Sequence, residues 1–258
     1  MNTLLSTHQP GDPVTLPQNV RNFLRISDLH NRNLTCAICN QPIQSRYFLD
    51  PYGTTACNRH ELDYCCLCGR IITGPRVQVP GYGYSCTDCG MAIKYDELET
   101  IRLKINEFYT RLRIFIPGYR LSLRHAQDMA QAYSQYFDRP PLGAAWKDDG
   151  SREHRYRIDI MSQQSKVGVG NTLAHELLHL WQYHRGINAP KEYAEGFCNL
   201  GAFLYTASVD KGEALVYLSR MMENRDKHYG VAFRQLKVLY DVYGLPAVIA
   251  AMKSFTER

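Results

Sequence analysis

The chain has 258 residues, 45% of them hydrophobic and 21% charged, and a formal net charge of +5. That length holds one large domain or two modest ones, and the composition is ordinary for a globular protein. No apolar run reaches the roughly 18 residues of a membrane span. Between residues 34 and 92, Arg46, Arg59, Arg70 and Arg76 balance Asp50, Glu61, Asp63 and Asp88 with no Lys, which argues against a phosphate-gripping, nucleic-acid-binding surface.

Residues 1–33 are polar and interrupted by Pro10, Pro13 and Pro17. They read as a flexible lead with one short helix near Val20–Leu29, and they lack the apolar stretch of a secretion signal. Eight of the nine cysteines then fall between residues 36 and 89. Their C-x-x-C pairing, with a His included, points to metal in a reducing, cytoplasmic compartment rather than to disulfides.

The spacing is duplicated. Cys36-x2-Cys39, seventeen residues and Cys57-x2-His60 are followed by Cys65-x2-Cys68, seventeen residues and Cys86-x2-Cys89. Each C-x-x-C half aims two sulfurs at one ion and the opposite half closes the tetrahedron, so two structural zincs with no open position are expected. Units of this size bury too little core to fold alone, so metal supplies much of their stability. The segments between the ligands read as hairpins: Tyr47–Leu49 before an Asp50-Pro51-Tyr52-Gly53 turn, and Arg70–Ile72 before Thr73-Gly74-Pro75, with Val77 and Val79 after it. Cys66 has no C-x-x-C partner and stays outside the ligand set.

Leu98, Ile101, Ile105, Phe108, Leu112 and Phe115 form a helical stripe that ends at Pro117-Gly118. A second helix is expected over Ser122–Phe137, stopped by Pro140-Pro141, and a polar loop from Trp146 to Ser151. Alternation of Tyr156, Ile158 and Ile160 with Arg155, Arg157 and Asp159 predicts a strand with one wet face. Gly168 and Gly170 should break the chain, with Asn171 or Thr172 capping the next helix.

That helix carries His175-Glu176-Leu177-Leu178-His179. With 9 His and 11 Glu in the chain, chance supplies the H-E-x-x-H pattern roughly 0.01 times. Two His four apart share a helix face and reach one ion, and Glu176 sits beside the first ligand without ligating. Zinc then needs a third ligand. His184 is rotated away on the helix, and the next helix, from about Lys191, offers Glu192 and Glu195. Glu195 stands before Gly196 and Phe197 on the buried side and is preferred, giving a gluzincin-type site. Glu176 would act as general base toward a water on the zinc and hand its proton to the leaving amine. The strand at Tyr156–Ile160 is expected to offer a free edge to substrate. Tyr229, His228 and Arg234 are candidates to stabilise the oxyanion, with Tyr229 preferred. Cys198 reads as a small buried residue. Val231–Tyr240 and Leu245–Met252 read as two closing helices.

Two stretches carry a family resemblance. The tandem cysteine units resemble a LIM domain, although the first ends Cys57-x2-His60 and four residues rather than two separate His60 from Cys65. Asn171-Thr-Leu-Ala-His-Glu-Leu-Leu-His-Leu-Trp, Glu195-Gly-Phe-Cys198, Tyr229-Gly230-Val-Ala-Phe233-Arg234 and Tyr243-Gly-Leu245 resemble the peptidase domain of the DA-one family. In that family a LIM domain precedes an HExxH peptidase, the order found here, and the likeness spans residues 34–258. It implies a protein-interaction module ahead of a zinc peptidase.

The sequence thus predicts an α+β protein. A flexible segment (1–33) leads to a β-rich double zinc-finger, LIM-like domain (34–92) and a mainly helical, zincin-like metallopeptidase domain with a small sheet (93–258). One catalytic and two structural zincs are expected, with a protein or peptide substrate, a protein partner for the LIM-like module, and neither nucleic acid nor membrane. The competing reading is a catalytically inactive zinc-finger scaffold.

Overall fold

The computed structural model describes residues 7–8, 34–44, 46–147, 155–209 and 212–256. The short helix expected near Val20–Leu29 lies outside them. The chain is mixed α+β, with seven α-helices and three small sheets among the described residues.

The cysteine-rich part opens with β1 (Thr7–His8), β2 (Tyr47–Leu49) and β3 (Thr55–Cys57) in one antiparallel sheet, then β4 (Arg76–Val79) paired with β5 (Gly83–Cys86), and a short α1 (Thr87–Gly90). The two C-x-x-C knuckles repeat down to the backbone. In the first, the Asn40 N–H donates to Cys36 O and the Cys36 N–H to Gln41 O. In the second, the Gly69 N–H donates to Cys65 O and the Cys65 N–H to Arg70 O. The fourth residue after the leading Cys is left-handed in both, Asn40 at φ 58° and Gly69 at φ 77°. These are residue types that tolerate that region. Asp50 clasps the two units together. Its buried carboxylate accepts from Tyr52 N and Thr54 N in its own turn and from Ile71 N of the second unit at 2.8 Å.

α2 (Tyr95–Arg111) buries Leu98, Ile105 and Tyr109, and Glu97 accepts from the Lys94 N–H at its start. It ends before Phe115, because Arg113 turns left-handed at φ 59° and Phe115 stands in solvent. The expected Ser122–Phe137 helix is two elements: β6 (Arg120–Arg124) and then α3 (Ala126–Tyr133). The expected polar loop begins inside a strand, β7 (Gly143–Lys147). β8 (Tyr156–Met161) lies between them, parallel to β6 and antiparallel to β7. Two expectations therefore fail. β8 has no free edge, since both sides are paired. It has no wet face either: Asp159 is fully buried, gripped by Arg157 and Arg124 and receiving the Tyr133 hydroxyl at 3.0 Å. A carboxylate is tolerated there because its charge and lone pairs are all met.

α4 (Lys166–His184) starts earlier than expected. Ser165 caps it, accepting from Gly168 N at 3.1 Å. Gly168 and Gly170 lie inside the helix because side chains press on it: a Cβ at Gly168 would meet the Tyr217 hydroxyl at 2.5 Å, and one at Gly170 the Tyr205 ring at 3.0 Å. The helix stops where Gly186 turns left-handed. Leu173, Leu177, Leu180 and Trp181 join Phe197 and Leu200 of α5 (Lys191–Ala207), Phe233 and Leu236 of α7 (Ala232–Lys253), and Ile158 and Ile160 of β8 in the main core. Each buried Leu contributes about 1.5–3 kcal/mol. α6 (Gly212–Glu223) and a π-turn (Lys227–Val231) precede α7, which breaks in two at Gly244 (φ 77°) beside Pro246, as the two closing segments anticipated.

The second cysteine unit is seated on this body. Val79, Leu67, Cys66 and Tyr82 share a core with Met129 and Tyr133 of α3, Ala144 and Trp146 of β7, and Met161 of β8. Arg220 of α6 donates to Leu67 O at 2.9 Å, and Tyr82 donates to Pro140 O at 2.6 Å. Among the described residues no helix is long and apolar enough to cross a membrane.

Candidate metal centre

Among the described residues three groups of side chains could hold a metal ion. Cys36, Cys39, Cys57 and His60 converge, as do Cys65, Cys68, Cys86 and Cys89, with ligand atoms within 4.8 Å of one another in each group. Both can hold a metal ion. The second is closed, its four cysteines between 1 and 7% exposed, with the Cys68 and Cys86 sulfurs 3.8 Å apart. Without an ion the sulfurs of each group share their protons unequally: Cys36, Cys65 and Cys86 are lowered, while Cys39, Cys68 and Cys89 are raised. Burial opposes ionising Cys36, but the backbone N–H groups of Cys39, Cys57 and Ile38 outweigh it and bring the thiol down to about 6. Cys65 is drawn well below the thiol range by hydrogen bonding with Cys68, then with Cys86 and Cys89. In the first group His60 Nε2 is buried and has no hydrogen-bond partner. A ligating nitrogen would show this. Cys66 stays out of both groups, and burial pushes its thiol up to about 11.

The third group lies between α4 and α5. The two helices run antiparallel, so Ala194 sits beside Gln182 and Asn199 beside His175. The Nε2 atoms of His175 and His179 are 3.1 Å apart. Glu195 Oε2 reaches them at 3.2 and 3.5 Å. That oxygen is buried and receives no hydrogen bond. Three such atoms this close repel unless a proton or a metal cation lies among them, and two imidazoles with a carboxylate are a donor set that fits a metal ion. Electrostatics agree. Burial would raise the Glu195 carboxyl, but the facing imidazoles outweigh it and hold it well below the usual range. Burial would lower His175, but Glu195 and then Glu176 outweigh it and hold it above its ordinary value.

Glu176 is buried and its carboxyl is raised, burial being the main cause. The Ala145 N–H of β7 offsets a small part of that rise. Gly143 makes room for Glu176, since a Cβ there would lie 2.9 Å from Glu176 Cγ and 2.6 Å from Thr172 Cγ2. The free sheet edge nearest Glu176 is thus β7, not the strand expected from sequence.

Tyr229 sits on the π-turn, 39% exposed, its ring 6.4 Å from that of His175. Burial and then the Glu195 and Glu176 charges push its hydroxyl up to about 12, which keeps it a neutral donor at neutral pH. The other candidates are engaged elsewhere. His228 and Lys227 face Glu192, Arg234 donates to the carbonyls of Met222 and Asn224, and His184 meets Tyr156. Cys198 is fully buried; its sulfur falls within 4.8 Å of the imidazole ligand atoms but accepts from Gln182 Nε2 at 3.0 Å. Glu195 Oε2, at 3.2 and 3.5 Å from the two Nε2 atoms, could serve as a third ligand.

Sequence reasoning missed two neighbours. Asn199 Oδ1 is 2.9 Å from His175 Nδ1, and Tyr183 stacks on His179 with centroids 6.1 Å apart. Each lies four residues beyond a ligand, Glu195 and His179, on the same helix face, and that spacing was the available signal. A cavity of about 600 Å³ opens elsewhere, between α2 and the ends of α4 and α5, and contains none of the three ligands. Comparison of the chain with protein-family models, with curated proteins and with solved structures finds no match.

Proposed function

We propose that the chain is a zinc-dependent endopeptidase of the gluzincin type, carrying a LIM-like double zinc-finger module ahead of its catalytic part, as the resemblance to the DA-one family implies. The observation that supports this best is the triangle of His175, His179 and Glu195, 3.1–3.5 Å on a side. Zinc bonds of about 2.0–2.2 Å to nitrogen and oxygen give tetrahedral edges of about 3.3–3.6 Å. The same argument fits the cysteine groups, where bonds of about 2.3 Å to sulfur give edges of about 3.8 Å. The side chains of the triad are 13–14% exposed, so three ligands leave a wet fourth position.

His175, His179 and Glu195 would hold the zinc, which would supply Lewis acidity toward a water and a carbonyl oxygen. The chain's own groups do the rest. Glu176, raised by burial, takes a proton from the water and returns it to the departing amine. β7 offers its edge to an extended peptide, which would run past Glu176 as an added strand. Tyr229 presents a neutral hydroxyl beside the triad. The substrate is a protein or peptide, and the LIM-like module is the surface for a protein partner.

The test is metal content together with proteome-wide cleavage, read by mass spectrometry, for the parent and for Glu176→Gln. Three zincs per chain are expected in both, with cleavage reduced about 10²–10⁴-fold in the variant. Two zincs per chain with no cleavage by the parent would leave the inactive scaffold as the better reading, and cleavage by the variant at the parental rate would overturn the acid–base role of Glu176.

A further inference from the structure

We infer that Asn199 is a positioning residue that ties the Tyr229 turn to the His175 ligand, so that metal binding and the placement of Tyr229 are one coupled event. The inference rests on the zinc-site reading above. It starts from the far end of a hydrogen-bond chain. The Tyr229 carbonyl can only accept, so the Asn199 atom 2.6 Å from it is the amide nitrogen, which donates. The Asn199 oxygen therefore faces His175 Nδ1 at 2.9 Å, and that nitrogen must carry the proton. The lone pair of His175 is then on Nε2, the atom that faces Glu195 and His179.

The turn is gripped on both sides of Tyr229. Before it, the Asp226 carboxylate accepts from His228 N at 2.8 Å and Tyr229 N at 2.9 Å. After it, Asn199 holds the carbonyl. The amides of Gly230 and Val231 both donate to Asp226 O at 2.9 Å. With its backbone fixed at both ends, Tyr229 keeps its ring against His175. α5 thus presents a ligand, Glu195, and one turn later the group that selects the tautomer of another ligand and anchors the turn.

The test uses the full chain, zinc alone as probe, and two substitutions. Asn199→Asp keeps an acceptor for His175 but sets a carboxylate oxygen against the Tyr229 carbonyl. Asn199→Leu removes both contacts. Third-site zinc affinity is read by chelator competition, and amide hydrogen exchange at Tyr229–Val231 is followed with and without that zinc. In the parent, zinc should slow exchange there about tenfold or more. Asn199→Asp should hold zinc to within about tenfold and lose the zinc-dependent protection. Asn199→Leu should lose about 10–100-fold in affinity as well. The coupling is overturned if zinc gives the parent no protection, if Asn199→Asp keeps it, or if Asn199→Leu binds zinc like the parent. The peptidase reading survives those results as long as a third zinc binds. A parent that takes up zinc only in the cysteine units removes both.

Discussion

The two cysteine units share ligand spacing and knuckle geometry but differ in what stands behind them. The first packs on a small cluster of Ile43, Tyr47, Leu49 and Ala56 joined by Ile71 of the second unit, and two of its four ligands are only partly buried. The second has all four buried, and its Val79, Leu67 and Tyr82 are built into the core under β7 and β8. Spacing between ligands therefore determines how a metal is held and says nothing of what the loaded unit supports. One unit is an appendage and the other is part of the foundation of the sheet.

The strongest way to break that contrast is to remove one thiolate from each. A structural zinc site contributes about 10–16 kcal/mol to folding its unit. Loss of several of these through Cys89→Ser, at about 2–4 °C per kcal/mol, should lower the main unfolding transition by ~10 °C or more. Cys39→Ser should melt the first unit and leave that transition within about 2 °C of the parent's. Calorimetry of the two variants decides it, and equal shifts would mean that the units are equivalent.

A smaller effect isolates the strut between α6 and the second knuckle. Arg220→Ala deletes the charged donor to Leu67 O, worth about 1.5–3 kcal/mol. Limited proteolysis should then cut faster around Leu67–Gly69 while the first unit is unchanged.

The mildest perturbation is acid, which sets the open triad against the closed nests. Ligating imidazoles must be neutral. In the metal-free chain His175 is held above its ordinary value, Glu195 and Glu176 outweighing burial, so protons compete for the triad as pH falls through and below neutrality. The four cysteines of the second group are only 1–7% exposed, and that closed group should retain its ion to lower pH. On stepping from about pH 7.5 to 5, one zinc per chain should leave before the other two, tracked by a zinc-sensitive dye.

What could be read from the sequence was what lies within a turn or two of helix. His175, Glu176 and His179 are one turn, and Glu195 heads the next helix. The knuckles are equally local. Asn199 escaped notice because an Asn four residues past a ligand looks like any other helix position until its partner across the gap is known. β7 escaped because Gly143–Lys147 has no alternation and carries no strand signal of its own, and β6 because its alternating Arg120–Arg124 is only five residues long and runs into a helix; pairing with β8 makes them strands. Asp159 was misread for a related reason. Alternation put it on a solvated face, but Arg124, which shields it, comes from a strand 35 residues upstream, and Tyr133 from α3.

The shared core beneath β7 bears on how the molecule can be taken apart. Cutting the chain near residue 93 would strip Val79 and Tyr82 from Ala144, Met129 and Met161 and leave an oily scar beside β7. A fragment of residues 93–258 made that way should be sticky and prone to self-association. Any interaction domain transplanted from elsewhere would have to restore this contact before the fragment stayed in solution.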